Sequence, residues 1–222
     1  IIQEKVVPYH TGDIKLAPMW PGTYSERIFA HVGKVVLSSA TIRPKTVELL
    51  GVKEGEMTWM EGPSSFPVAR RPVVYAPTVQ MNVRTTEDGL RDWITRMDQV
   101  IGARLDRKGI IHTVSYQRAE YIMRHSEWSD LMVPLSRVAS DMVMAFKASD
   151  PPSILVSPSV STGFDFPGDE CRYQIIAKVP FPDTQDPVVK FRSKMLEGYA
   201  TLVACQTLVQ AAGRSTRAED DW

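Results

Sequence analysis

Residues 153–170 read SILVSPSVSTGFDFPGDE, an apolar run that gives way to small hydroxyl residues, a Ser-Thr-Gly turn and a carboxylate. A short apolar run bounded by turn residues reads as a buried strand, and the turn after it as the loop at that strand's carboxyl end. The same grammar recurs along the chain. KVVLSSAT (34–41), PVVYAP (72–77), IIHTVS (after Gly109) and YQIIAKVP (173–180) read as further buried strands, with LMVPLS (131–136) a weaker one.

Helical patterns fill the intervals. Leu90, Trp93, Ile94, Met97, Ile101 and Leu105 recur at helical spacing, which predicts an amphipathic helix over 87–107. Ser115 suits an N-cap for a helix through YQRAEYIMRHS, with Tyr116, Ala119 or Glu120, and Met123 on one face. Val138, Met142, Ala145 and Phe146 make another stripe. Two helices close the chain, at about 187–197 and 199–212, the second striped by Tyr199, Leu202, Val203, Gln206 and Val209. Alternating strand and helix predicts an α/β fold, a mainly parallel sheet with helices on both faces. A domain boundary is expected within 43–50, before the Gly/Pro/Ser-rich connector at 51–67.

The 26 basic and 26 acidic residues cancel, so any anion must be bound by local charge and not by a global field. Cys171 and Cys205 lie far apart in no metal-ligand spacing, which predicts a reducing compartment and no metal site. The sequence has no run of eighteen apolar residues, and no membrane partner is expected. The first residue is Ile, which predicts a piece of a longer chain.

In a parallel sheet the loops at the carboxyl ends of the strands carry the chemistry. Gly163 permits close approach or a positive φ, Ser161 and Thr162 offer donors to a phosphate, and Asp165 can accept from a ribose hydroxyl or a water. A plain glycine turn with a capping aspartate fits the same spacing. In QAAGRSTR (210–217), Arg214 and Arg217 are read on one helical turn, three residues apart and pointing the same way, able to clamp a nucleotide's terminal phosphate. A solvated helix end would look the same. Gln210 could order a water or a phosphate oxygen. Ser39 and Thr41 are equally strand-end hydroxyls, Ser115 equally a cap, and Tyr116 equally a half-buried aromatic or a platform for a base of single-stranded nucleic acid.

Taken in order, VVLSSATI (35–42), HTVSYQRAE (112–120), SVSTGFDFPGD (159–169), VPFPDTQDP (179–187) and LVQAAGRSTRAEDDW (208–222) resemble helicase motifs III, IV, V, the Pro-Phe-Pro stretch after V, and VI of superfamily 2 DNA helicases of the XPD and DinG type. The resemblance implies two RecA-like lobes with ATP between them. Residues 1–42 would be the tail of lobe one and 43–222 lobe two. It further implies that Gln210, Arg214 and Arg217 face the ATP phosphates, that Gly163, Asp165 and Gly213 support the nucleotide, and that Ser39, Ala40 and Thr41 couple nucleotide state to DNA grip. Ser115, Tyr116, Ser161 and Thr162 would touch the DNA backbone.

A phosphate-binding loop of the G-x-x-x-x-G-K-[ST] kind and an acidic box for magnesium are missing from the sequence. ATP and Mg2+ would therefore be held mainly by an N-terminal helicase lobe, and the chain is expected to be inactive alone. Four cysteines for the family's iron–sulfur cluster are likewise missing, which leaves the parent's cluster open. The implied partners are single-stranded or forked DNA and the N-terminal lobe, the implied direction is 5′ to 3′, and the implied location is the cytoplasm, or the nucleus in a eukaryote. The rival reading is a non-catalytic RecA-like module that serves as a nucleic-acid or protein adaptor.

Overall fold

The computed structural model describes residues 18–64, 66–82, 84–161, 163–217 and 221, together with the backbone of 7–8 and 14–15. They form two compact units, Ile1–Pro63 with Phe181–Gln206, and Ser64–Pro180 with Thr207–Trp222. This is a division by compactness, distinct from the division by lobe expected at 43–50.

The second unit holds the sheet. Strands β3 (Lys108–His112), β4 (Ser153–Ser157) and β5 (Tyr173–Ile176) lie in the order β4-β3-β5, all parallel; β1 (Val7–Pro8) and β2 (Ile14–Lys15) belong to the first unit. His112 is in register with Ser157 on one side and Ile176 on the other, so the three strands end level. Alternate residues of the strands feed two cores. Ile111, Ile154 and Val156 pack with Trp93, Ile94, Met97 and Ile101 of α3 (Glu87–Gly102) and with Ala119 and Ile122 of α4 (Tyr116–His125). Ile110 and Leu155 pack with Met142, Val143 and Phe146 of α5 (Ala139–Ala148). The α/β class with helices on both faces is therefore the observed one.

Capping explains where these helices start. Thr86 accepts from Gly89 N at 3.2 Å, and Ser115 accepts from Arg118 N at 3.3 Å, each side chain satisfying a donor of the first turn. The expected stripe of α3 is buried in full apart from Leu90 and Leu105, which pack at its margin. On α5 the buried positions are Met142, Val143 and Phe146, whereas Ala145 faces out.

The first unit contains α1 (Ser25–Phe29), α2 (Pro44–Glu48), α6 (Pro187–Met195) and the start of α7 (Tyr199–Ala212). Arg192 of α6 donates to Met19 O and Pro18 O, both at 3.0 Å, and to Tyr199 Oη at 3.1 Å. Asp186 caps α6 through Val188 N and Val189 N.

Three expected strands are corrected. KVVLSSAT and PVVYAP form no strand among the described residues, and Val36 and Val73 are each 90% exposed. Both have the apolar run of a strand and lack the neighbour whose ladder would make them one. LMVPLS contributes a single parallel bridge, Met132 to Ile154, with Val133 N donating to Ile154 O at 2.9 Å.

Gly109 shows how tightly β3 and β5 meet. A Cβ added there would lie 2.1 Å from the Tyr173 ring, which burial also holds well above the usual phenol range, at about 12. We expect Gly109→Ala to destabilise the chain by about 1–3 kcal/mol through overpacking. Thermal denaturation checks this, and the loss should shrink when Tyr173→Ala is made in the same chain; an undiminished loss would place the strain elsewhere.

Candidate functional site

The loop after β4 and the chain after α7 meet at the carboxyl edge of the sheet. In FDF (164–166) the side chains alternate as in a strand. Phe166 is wholly buried, 5.9 Å from Phe146 edge to face, which leaves Asp165 exposed on the opposite side. Phe166 N donates to Arg214 O at 3.0 Å, tying the two segments backbone to backbone. Arg214 completes the tie. Its Nε donates to Ser161 O at 2.9 Å and its Nη1 to Phe164 O at 3.1 Å, with Asp165 Oδ1 at 3.4 Å from the same nitrogen.

Arg217 converges on the same oxygen, its Nη2 donating to Asp165 Oδ1. The two guanidinium side chains differ in freedom, 16% exposed for Arg214 and 40% for Arg217. Their convergence does not come from a helical turn, as expected from the spacing. The helix α7 stops at Ala212, where Gly213 N closes the last turn on Val209 O at 3.0 Å, and 213–217 run as turn and coil. Gly213 is a helix-end residue here. Gln210 lies half-buried in the last turn of α7.

Gly163 has φ +83°, and an added Cβ would meet nothing within 4 Å. The positive φ is observed, and it alone accounts for a glycine at this position. Ser161 contributes its carbonyl to Arg214, and Thr162 lies outside the described residues.

At the end of β3, Ser115 is the cap of α4. Tyr116 is half-buried, with the Arg137 guanidinium 4.2 Å from its ring centroid and its Oη 3.5 Å from Arg137 O. Ser39 and Ala40, in the first unit, are exposed; Ser39 Oγ accepts from Thr41 N at 3.2 Å, and Thr41 O accepts from Gln206 Nε2 at 3.4 Å.

Three residues of this edge escaped the sequence reading. Asp221, 4% exposed, accepts from Gly168 N at 2.9 Å and from Arg217 N at 2.8 Å, so one carboxylate holds both loops by their backbones. Gln174 of β5 donates to Ala212 O and Ser215 Oγ, and His112 of β3 meets Gln174 Oε1 at 2.7 Å. For Gln174 the available signal was a polar residue inside an otherwise apolar strand; Asp221 offered none.

Among the described residues no group of three or more His, Cys, Asp or Glu side chains comes together. Burial pushes the Cys171 thiol up to about 12, which makes it a packing residue and not a reactive thiolate. No described helix is long and apolar enough to cross a membrane.

Two cationic side chains thus share one carboxylate at the carboxyl edge of a parallel sheet. The helicase C-terminal domain model matches residues 105–222, more than half of the chain, and the chain belongs to that family. The sheet with helices on both faces is accordingly the RecA-like α/β fold of a helicase C-terminal lobe. Members of the family are motors that generally couple ATP, with magnesium, to the unwinding of nucleic acid. No curated protein matches the chain.

His112 supplies a pH test of this edge. Burial holds its imidazole below the ordinary value of 6.5; the Gln174 hydrogen bond works against that shift, and the Arg214 charge adds to it. A depressed folded value means that the unfolded chain takes up a proton the folded chain refuses. The stabilising contribution is therefore present above the ordinary value and lost as pH falls through the folded one. We expect the melting temperature to fall across that window, and to fall less in His112→Gln. Equal slopes for the two proteins would remove His112 as the source.

Proposed function

We propose that the chain supplies the second motor lobe of an ATP-dependent DNA helicase of the XPD and DinG type. Residues 43–222 form that lobe and 1–42 the tail of the first, with motif III at Ser39, Ala40 and Thr41. The observation that carries this reading is the convergence of Arg214 and Arg217 on Asp165, within the loop that also carries Gly163. When an N-terminal lobe brings ATP to this edge, Arg217 exchanges Asp165 for the terminal phosphate and stabilises the charge that develops on it, as an arginine finger does.

Arg214 has a different share of the work. Its bonds to Ser161 O and Phe164 O hold the two loops together, so its removal leaves two carbonyls without a donor, at about 1–3 kcal/mol each. Gln210 orders the attacking water or a phosphate oxygen, with Gly163, Asp165 and Gly213 shaping the nucleotide side. Ser115, Tyr116 and the Ser161–Thr162 turn meet the DNA backbone, and Tyr116 would trade its contact with Arg137 for a base. Such contacts position a strand without reading its sequence, which suits a motor that must step 5′ to 3′ on any single strand. A neutral chain is compatible with this, since the binding charge is local.

The test is ATP hydrolysis by the helicase that contains this chain, with and without single-stranded DNA. Stimulation by DNA is expected, and Arg217→Ala should lower turnover by ~10³ or more with an unchanged melting temperature. Arg214→Ala should lose both turnover and melting temperature, and the chain alone should show none of the activity. If Arg217→Ala hydrolyses ATP like wild type, the arginines do not serve a phosphate and the chain is a nucleic-acid or protein adaptor.

A further inference from the structure

The turn that carries Arg214 and Arg217 is held by polar side chains of the sheet that face no nucleotide in the reading above. Gln174 Nε2 donates to Ala212 O at 3.0 Å and to Ser215 Oγ at 2.8 Å, and Gln174 Oε1 lies 2.7 Å from His112 Nε2. Hydrogen counting settles the direction of the last contact. Both amide hydrogens are committed and the amide oxygen only accepts, so the proton lies on His112 Nε2 and is donated to Gln174.

The reverse arrangement is disfavoured at the backbone, although the Ser215 hydroxyl could donate as readily as accept. Turning the amide over would set Gln174 Oε1 against Ala212 O, acceptor against acceptor, and would force the imidazole to its other tautomer. In the observed arrangement His112 Nδ1 is left as a bare acceptor, buried and without a hydrogen-bond partner among the described residues. A second proton on the ring would have to reside there, in a site 6% exposed, with Arg214 as the neighbouring charge. His112 is itself immobile, because it sits on the central strand with Ala177 N bonded to its carbonyl at 3.0 Å.

We propose that His112 and Gln174 are positioning residues for the arginine loop. The buried imidazole, as its Nε2–H tautomer, orients the Gln174 amide, and the amide's NH2 group holds the turn from Ala212 to Ser215 out of which Arg217 extends. The proposal rests on the reading of Arg217 as the residue that meets the phosphate. It adds that the placement of this arginine is set from the centre of the sheet.

Two measurements test it. On the chain itself, long-range nitrogen–proton NMR should show His112 as a single Nε2–H tautomer, and Gln174→Leu should release that preference and shift the backbone amides of 212–217. An Nδ1–H tautomer in wild type, or shifts confined to β5, would overturn the relay. In the helicase that contains the chain, His112→Leu and Gln174→Leu should lower kcat by up to ~10²-fold with KM for ATP little changed. His112→Gln should restore most of the loss, since its amide nitrogen reaches the place of the imidazole Nε2.

Gln174→Glu guards against a mere packing defect. It keeps the size and still accepts from His112 but has no NH2 for Ala212 and Ser215, so it should be as slow as Gln174→Leu. Turnover at the wild-type rate in the Leu variants, or a His112→Gln enzyme as slow as His112→Leu, would refute the proposal. Should Arg217→Ala itself leave turnover unchanged, the motor reading fails, and the NMR outcome on the chain still decides the relay.

Discussion

Arg214 is the fixed point of the carboxyl edge. Its guanidinium spans from the end of one loop to the backbone of another, and its own carbonyl takes a hydrogen bond in return from Phe166 N. A planar fork projects its donors in set directions, which suits two carbonyls held at fixed positions, whereas an ammonium on a flexible stem fixes the direction of its donors less. Everything else at the edge follows. With Ser161, Phe164 and Phe166 held, Asp165 has one direction to face, and Arg217 has a carboxylate to meet.

Asp221 and Gln174 repeat the principle from either side. Asp221 takes an N–H from each loop, and Gln174 takes a carbonyl and a hydroxyl of the arginine loop, so the turn after α7 is fastened by backbone groups and its charged tips are left for other work. Loop segments that carry function are ordinarily among the least stable parts of a domain. Here the site is built on loops tied by one backbone hydrogen bond, Phe166 N to Arg214 O, and by side chains that bond main-chain groups.

What could be read from the sequence follows from what burial writes into it. β3 and β4 are buried at every residue, and a strand covered on both faces has an apolar middle even where its ends are buried polar residues such as Lys108, His112, Ser153 and Ser157, so II (110–111) and ILV (154–156) announce themselves. VVL (35–37) and VVY (73–75) carry the same signature without a partner, because an apolar run records a tendency to be covered and not the identity of what covers it. On α7 the expected Val209 is 53% exposed, while Ala204 and Ala211 are buried, since close packing there selects small residues that hydropathy barely registers. The arginines were legible by type and spacing. Their support was not: Gln174 and His112 acquire meaning from partners 38 and 62 residues away, and a lone polar residue in a strand does not name its partner.

The pairing of both arginines with Asp165 also bears on how a chain of zero net charge handles an anion. An exposed guanidinium waiting alone would have to shed its water when a phosphate arrived, and a second one beside it would repel it until then. A shared carboxylate removes that repulsion, holds both side chains near the working geometry and can be replaced by another oxyanion, charge for charge. The difference between the two residues then decides which one moves. Arg214 would forfeit two backbone carbonyls on leaving, Arg217 only the carboxylate that its side chain shares, so under the proposed function the exchange would fall to Arg217.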